Sequence, residues 1–153
     1  MATLEDRVRA IEDRLAIYEL IATYGPAADS GAVDETVDLW TDDGVYAIDG
    51  VGSYRGSEEL ASCFTSELHQ GYIHRGSAHV MSLPKLRVDG DQATAINYAL
   101  LFIRDGERFR VQRSVASRWE LVRTIGGWKV QNRTNVLLDG SEAGRSLLGE
   151  AVR

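Results

Sequence analysis

The chain has almost nothing to cross-link with: one cysteine, Cys63, in 153 residues. A lone thiol forms no disulfide and no cysteine-based metal centre within one chain, which fits a reducing compartment. Long apolar runs are missing as well. Nothing approaches the roughly 18 apolar residues of a membrane span, and the opening MATLEDRVRA lacks the apolar region of a secretory leader. A soluble cytoplasmic protein is therefore expected. Basic charge is in short supply: 17 Lys and Arg stand against 23 Asp and Glu, for a net charge of −6. With no Lys/Arg-rich run and no aromatic–basic interleaving, a nucleic-acid partner is not expected, and a small neutral or apolar molecule is. Repeats, low-complexity segments, a phosphate-cradling glycine motif, a nucleophile elbow and a Ser-His-Asp order are all absent.

What is present reads as one domain with helices first and strands after. Leu4, Val8, Ile11, Leu15, Tyr18 and Ile21 recur in alternating steps of four and three, one stripe along a helix. Thr3 is placed to cap it, with Asp6 three residues on. Gly25 and Pro26 predict a break or kink, which puts Asp29 just beyond a helix end. A short helix is expected over AVDETVDLW, a strand over GVYAIDG, a turn and partner strand over VGSYRG, and a helix over SEELASCFTSEL with Ser57 as its cap and Leu60, Phe64 and Leu68 along one side. Cys63 falls on that side and reads as buried and inert. From residue 77 four strand-like runs follow, SAHVMSLPKLRVDG, QATAINYALLFIRDG, ERFRVQRSVASRWELVRT and GWKVQNRTNVLL, separated by turn formers that favour hairpins. Pro84 cannot donate to a ladder and belongs at an edge or bulge. The outcome is an α+β fold, helices packed against a strongly curved antiparallel or mixed sheet that encloses a pocket. Long exposed strands on such a sheet suggest a homo-oligomer, dimer or trimer.

Asp29 lies among small apolar neighbours, so its carboxylate must be solvated, paired or shifted in pKa. An aspartate at a helix end is more often a cap or turn former, and a tyrosine such as Tyr24 is as often core as chemistry. His69, His74 and His79 are spaced by five, which suits neither one helix face nor one strand face, so no metal site is expected. On one continuous strand His74 and His79 would point to opposite faces. His79 is preferred, with His74 of YIHRG the rival.

Several segments in order carry a resemblance: EDRLAIYELIATYGPAADSG, LWTDDGVYAIDGVGSYRGSEEL, HVMSLPKLRVDGDQATA and GGWKVQNRT. Together they resemble the SnoaL-like group of the nuclear-transport-factor-2-like superfamily, the cone-shaped α+β fold that includes scytalone dehydratase. The middle segment is similar to hexachlorocyclohexane dehydrochlorinase, and the Tyr24-to-Asp29 spacing to bile-acid dehydratases. The resemblance covers residues 4–138 of a single domain, 1–153, and leaves 139–153 as a tail. It implies Asp29 and His79 as a base dyad, Tyr24 as an assisting group and Arg133 as an electrostatic stabiliser at the substrate. Trp40, Tyr46 and Phe102 would wall the pocket. The implied activity is a cofactor-free lyase, a dehydratase or related β-elimination, on a small cyclic or polyketide-like substrate. An isomerase or cyclase using the same proton abstraction, or a non-catalytic binding or assembly protein, shares the fold.

Overall fold

The computed structural model describes residues 1–153. Helix α1 (Leu4–Ser30) opens on the expected capping box, the Thr3 hydroxyl accepting from the Asp6 amide at 3.1 Å and the Asp6 carboxylate from the Thr3 amide at 2.8 Å. It does not break at Gly25 and Pro26, so Asp29 belongs to its last turn rather than to the segment beyond. Pro26 deprives the Ala22 carbonyl of its donor, but both residues lie on the exposed side, where water can satisfy the freed oxygen. The helix ends instead at Gly31, whose left-handed φ of 76° suits a residue without a Cβ.

The face of α1 that packs inward is Ile17, Ile21, Tyr24 and Ala28. Of the stripe read from the sequence only Ile21, and Tyr18 in part, reaches the core; Leu4, Val8, Ile11 and Leu15 are exposed. Short α2 (Val33–Val37) follows, and Trp40 begins a strand rather than ending that helix. The strands are β1 (Trp40–Ile48), β2 (Gly52–Arg55), β3 (Ser77–Met81), β4 (Lys85–Asp89), β5 (Gln92–Asp105), β6 (Arg108–Thr124) and β7 (Gly127–Leu137). They form one sheet in the order β2-β1-β7-β6-β5-β3, antiparallel except for the β1–β7 pair. The run expected as one strand around Pro84 is two: β4 pairs with the first part of β5 and β3 with the second, and Pro84 sits in the gap where no ladder bond is needed.

The helix expected over residues 57–68 is also two, α3 (Gly56–Thr65) and α4 (Glu67–Arg75). Ser66 stops the first and caps the second by accepting from the His69 amide, which leaves Leu68 exposed. Ser57 is not the cap of α3; the Glu59 carboxylate takes the Arg55 amide at 2.7 Å instead. Leu60 and Phe64 of α3 are buried against α1 and β1, each worth roughly 1.5–3 kcal/mol by area removed from water. The tail is ordered as α5 (Glu142–Glu150), whose Leu147 packs on Ile96 and Ala116. No helix is long and apolar enough to cross a membrane.

Candidate active site

Three elements meet at Asp29. The Asp29 carboxylate accepts from the His79 ring at Nδ1 (2.7 Å), from the His79 backbone amide (2.6 Å) and from the Ser77 hydroxyl (2.8 Å). Ser77 and His79 are two apart on β3, so both side chains present one face of the strand to the last turn of α1. Such close packing requires Gly25: a Cβ there would lie 2.3 Å from the His79 carbonyl oxygen. Burial would raise the Asp29 carboxyl, but the hydrogen bonds from His79 and Ser77, with the His79 charge, outweigh it and hold the group below its usual value. The carboxylate occupies Nδ1 as acceptor. That assigns the ring proton to Nδ1 and leaves Nε2 with a free lone pair.

His79 lies on the wall of a pocket of about 660 Å³, its open mouth included, lined mainly by apolar and aromatic side chains. Tyr24, Tyr46, Phe64, Met81, Leu101 and Arg133 belong to that lining. The Tyr24 ring stands edge-on to His79, 5.9 Å between centroids. Burial, with Tyr46 beside it, drives the Tyr24 phenol well above its ordinary value, so it stays protonated and able to donate.

Arg133 is 1% exposed and has no carboxylate partner. Its guanidinium sits over the rings of Trp119 (3.8 Å), Tyr24 (4.0 Å) and Tyr46 (4.8 Å). Nε donates to the Ser117 hydroxyl at 3.1 Å, Nη2 touches the Met81 sulfur, and Nη1 is buried without any acceptor. Because guanidinium can only donate, it orients everything downstream. Ser117 must pass its own proton to the Asn135 carbonyl (2.6 Å), so the Asn135 amide donates to the Tyr46 oxygen (2.9 Å). The Tyr46 and Tyr24 hydroxyls lie 3.2 Å apart and share one hydrogen bond that either can donate, so the pair keeps one phenolic proton for a ligand. The pocket wall thus holds His79, whose Nε2 is the free acceptor of the ring, and the Tyr24–Tyr46 pair with one unspent phenolic proton; Arg133 lines the pocket too, but its Nη1 is itself fully buried.

The residues read from the sequence do not all converge here. Tyr24, Asp29, Tyr46, His79 and Arg133 do. Trp40 does not line the pocket; it is 3% exposed and packs behind Tyr46 and Tyr24 in the core. Phe102 does not either. It pairs across the ladder with Ala78, whereas Leu101 pairs with His79, and the plain alternation of β5, with Ala99, Leu101 and Ile103 buried, turns Phe102 to the other face. His74 is out of reach on exposed α4, its Nδ1 on the Gln70 carbonyl. The sequence reading missed His69, buried on α4 with Nε2 on the Ala28 carbonyl at 3.0 Å and its ring 5.7 Å from that of His79. Burial lowers its pKa and favours the neutral ring. Ser117 and Asn135 were missed too: in the β-run they read as polar positions of no particular role. Cys63 is buried and its thiol is pushed up to about 11, as its helical side suggested. No three His, Cys, Asp or Glu side chains converge to hold a metal ion.

No curated protein matches the chain. Among solved structures it is similar to an NTF2-like protein with a cystatin-like fold from Novosphingobium aromaticivorans, at 39% identity over 97% of this chain and 98% of that one, with a TM-score of 0.92. It also shares its fold with the hexachlorocyclohexane dehydrochlorinase LinA-type3 from Novosphingobium barchaimii, at 18% identity over 86% of this chain and 90% of that one, TM-score 0.74. A type 2 LinA dehydrochlorinase is similar at 21% identity over 86% and 89%, TM-score 0.75. The family profile of the SnoaL-like domain matches residues 9–134, and the chain belongs to that family.

Proposed function

We propose that the pocket catalyses cofactor-independent β-elimination on a small cyclic or polyketide-like apolar substrate. The observation that carries the reading is the 2.7 Å bond between Asp29 and His79 at the wall of an apolar pocket that is also lined by Arg133, a guanidinium with no carboxylate partner. In the step envisaged, His79 Nε2 takes a proton from a carbon beside an electron-withdrawing group. The C–H electrons become the new double bond, and water or another leaving group departs with the electrons of its own bond. Asp29 holds the ring in position and stabilises the imidazolium that forms. Tyr24 donates its proton to a carbonyl or leaving-group oxygen, and the positive charge of Arg133 in the pocket wall stabilises the negative charge that develops. Apolar walls exclude water and strengthen both contacts. LinA dehydrochlorinases of this fold lend support by likeness, since elimination is the activity their name states. The same base and acid could return the proton to another carbon, so isomerisation is the second reading.

A screen of cyclic hydroxy-carbonyl and halogenated compounds, comparing wild type with folded Asp29→Asn and His79→Ala proteins, tests the proposal. Elimination products that fall at least about a hundredfold in both variants are expected. Turnover unchanged by either substitution would reject the dyad, and rearranged products of unchanged composition would favour the isomerase.

A further inference from the structure

The first turns of α1 pose a problem that the pocket does not solve. Every residue from Met1 to Glu12 is exposed, and only the flank carrying Asp6, Arg9 and Ala10 borders the body of the fold, in a groove with the turn between β4 and β5. Its apolar residues there are Leu4 (74% exposed), Val8 (44%), Ile11 (58%) and Leu15 (60%). They lie on the side turned away from Ile17, Ile21 and Tyr24, which pack into the core. A helical segment of this length, with a bare apolar stripe, gains little stability on its own in water.

Spacing and charge together say what would cover it. Steps of four, three and four are those of alternating d and a positions in a heptad repeat, with Leu4 and Ile11 at d and Val8 and Leu15 at a. Flanking positions are sorted by sign. Glu5, Glu12 and Glu19 follow the d residues on one flank, and Arg7 and Arg14 precede the a residues on the other. Two such helices side by side in parallel bring the arginine flank of each against the glutamate flank of its mate, Arg7 toward Glu12, and Arg14, whose guanidinium within the protomer reaches the Leu86 carbonyl at 3.5 Å, toward Glu19. Antiparallel, they would set arginine against arginine and glutamate against glutamate. The stripe is therefore complementary to itself in one orientation.

We infer that the chain pairs with a second copy of itself through the amino-terminal half of α1, the two helices parallel about a two-fold axis and the two sheets facing outward. An oligomer expected from exposed strands would use the sheet, part of whose face is already covered by α5. The helix pairing leaves both sheets and both pockets free.

Light scattering on the full chain at micromolar concentration is the test, with oxidative cross-linking for orientation. Wild type is expected at twice the monomer mass, and Val8→Asp/Ile11→Asp at the monomer mass with unchanged circular dichroism, because both side chains are exposed within the protomer. Leu4→Cys is expected to form a disulfide with its own counterpart; Cys63 is buried and does not compete. A monomeric wild type would overturn the inference and leave the stripe to another partner. A dimer that survives the aspartates would place the interface elsewhere. Cross-linking of a Leu4→Cys/Leu15→Cys protein between positions 4 and 15, without any 4-to-4 product from Leu4→Cys, would overturn the parallel orientation.

Discussion

Gly25→Ala sets two physical effects of opposite sign against each other. In an exposed helix interior the substitution stabilises by about 0.5–1 kcal/mol, since alanine loses less backbone freedom. Here the new Cβ would stand 2.3 Å from the His79 carbonyl oxygen. Restoring ordinary contact requires a displacement of roughly 1 Å. The obstacle is backbone, held in register with Leu101 on β5 and tied to Asp29 by two bonds, so it cannot swing aside as a side chain would. Overpacking of this kind typically costs about 1–3 kcal/mol, which exceeds the helical gain. A net loss of about 1–2 kcal/mol corresponds to a fall of roughly 2–8 °C in Tm for a chain of this size. The same 1 Å at the dyad would reduce turnover by about a hundredfold. Thermal melts followed by circular dichroism, with NMR of the His79 ring, read both. A variant that melts above wild type with unmoved His79 signals would refute the reasoning, because helix propensity alone would then govern the site.

Three further outcomes follow from the geometry. Asp29→Asn keeps the shape but replaces the carboxylate that accepts from both Ser77 and His79, so it should lower Tm as well as reduce turnover by about 10²–10⁴, both measurable on one preparation. Arg133→Met retains an apolar fit beside Trp119 while removing the positive charge from the pocket wall; turnover should fall by about 10²–10³ with unchanged circular dichroism. His69 has its pKa lowered by burial and by His79, which outweigh the Ala28 carbonyl and Asp29, so the folded state binds its proton less readily than the unfolded chain. Its contribution to stability is full above the unfolded value of about 6.5 and is lost as pH falls toward the folded one. Melting temperatures from neutral to mildly acid pH should therefore decline less steeply in His69→Gln than in wild type.

Much of the fold could be read from local chemistry. The Thr3 cap, the turns after β4 and β5 and the place of Pro84 each follow from a residue type whose backbone preference tertiary contacts do not oppose. Where such contacts intervene, local rules fail. Pro26 stays helical because its freed carbonyl faces solvent, and Gly25 serves close packing rather than termination. The stripe on α1 is real in sequence, but its direction depends on which flank of the helix borders the body of the fold, which no periodicity reveals. Asp29, His79, Tyr24 and Arg133 could be named through resemblance; the last three line one pocket, and Asp29 is bonded to the His79 ring. Phe102 was misplaced because the alternation of β5 turns Leu101 rather than Phe102 toward His79, a parity that only the pairing with β3 reveals, and Trp40 because bulk alone does not separate core from pocket wall. Ser117 and Asn135 are legible only once the donor-only character of Arg133 is followed through space.

The central claim is that Asp29 fixes the His79 ring with its proton on Nδ1 and its lone pair free at Nε2 toward the pocket. Long-range ¹H–¹⁵N correlation spectra of the histidine rings, recorded above neutral pH on wild type and Asp29→Asn, test it directly. The account predicts a single Nδ1–H tautomer for His79 in the wild type and loss of that preference in the variant. A His79 ring protonated at Nε2 in the wild type would contradict it, because no base would then face the substrate.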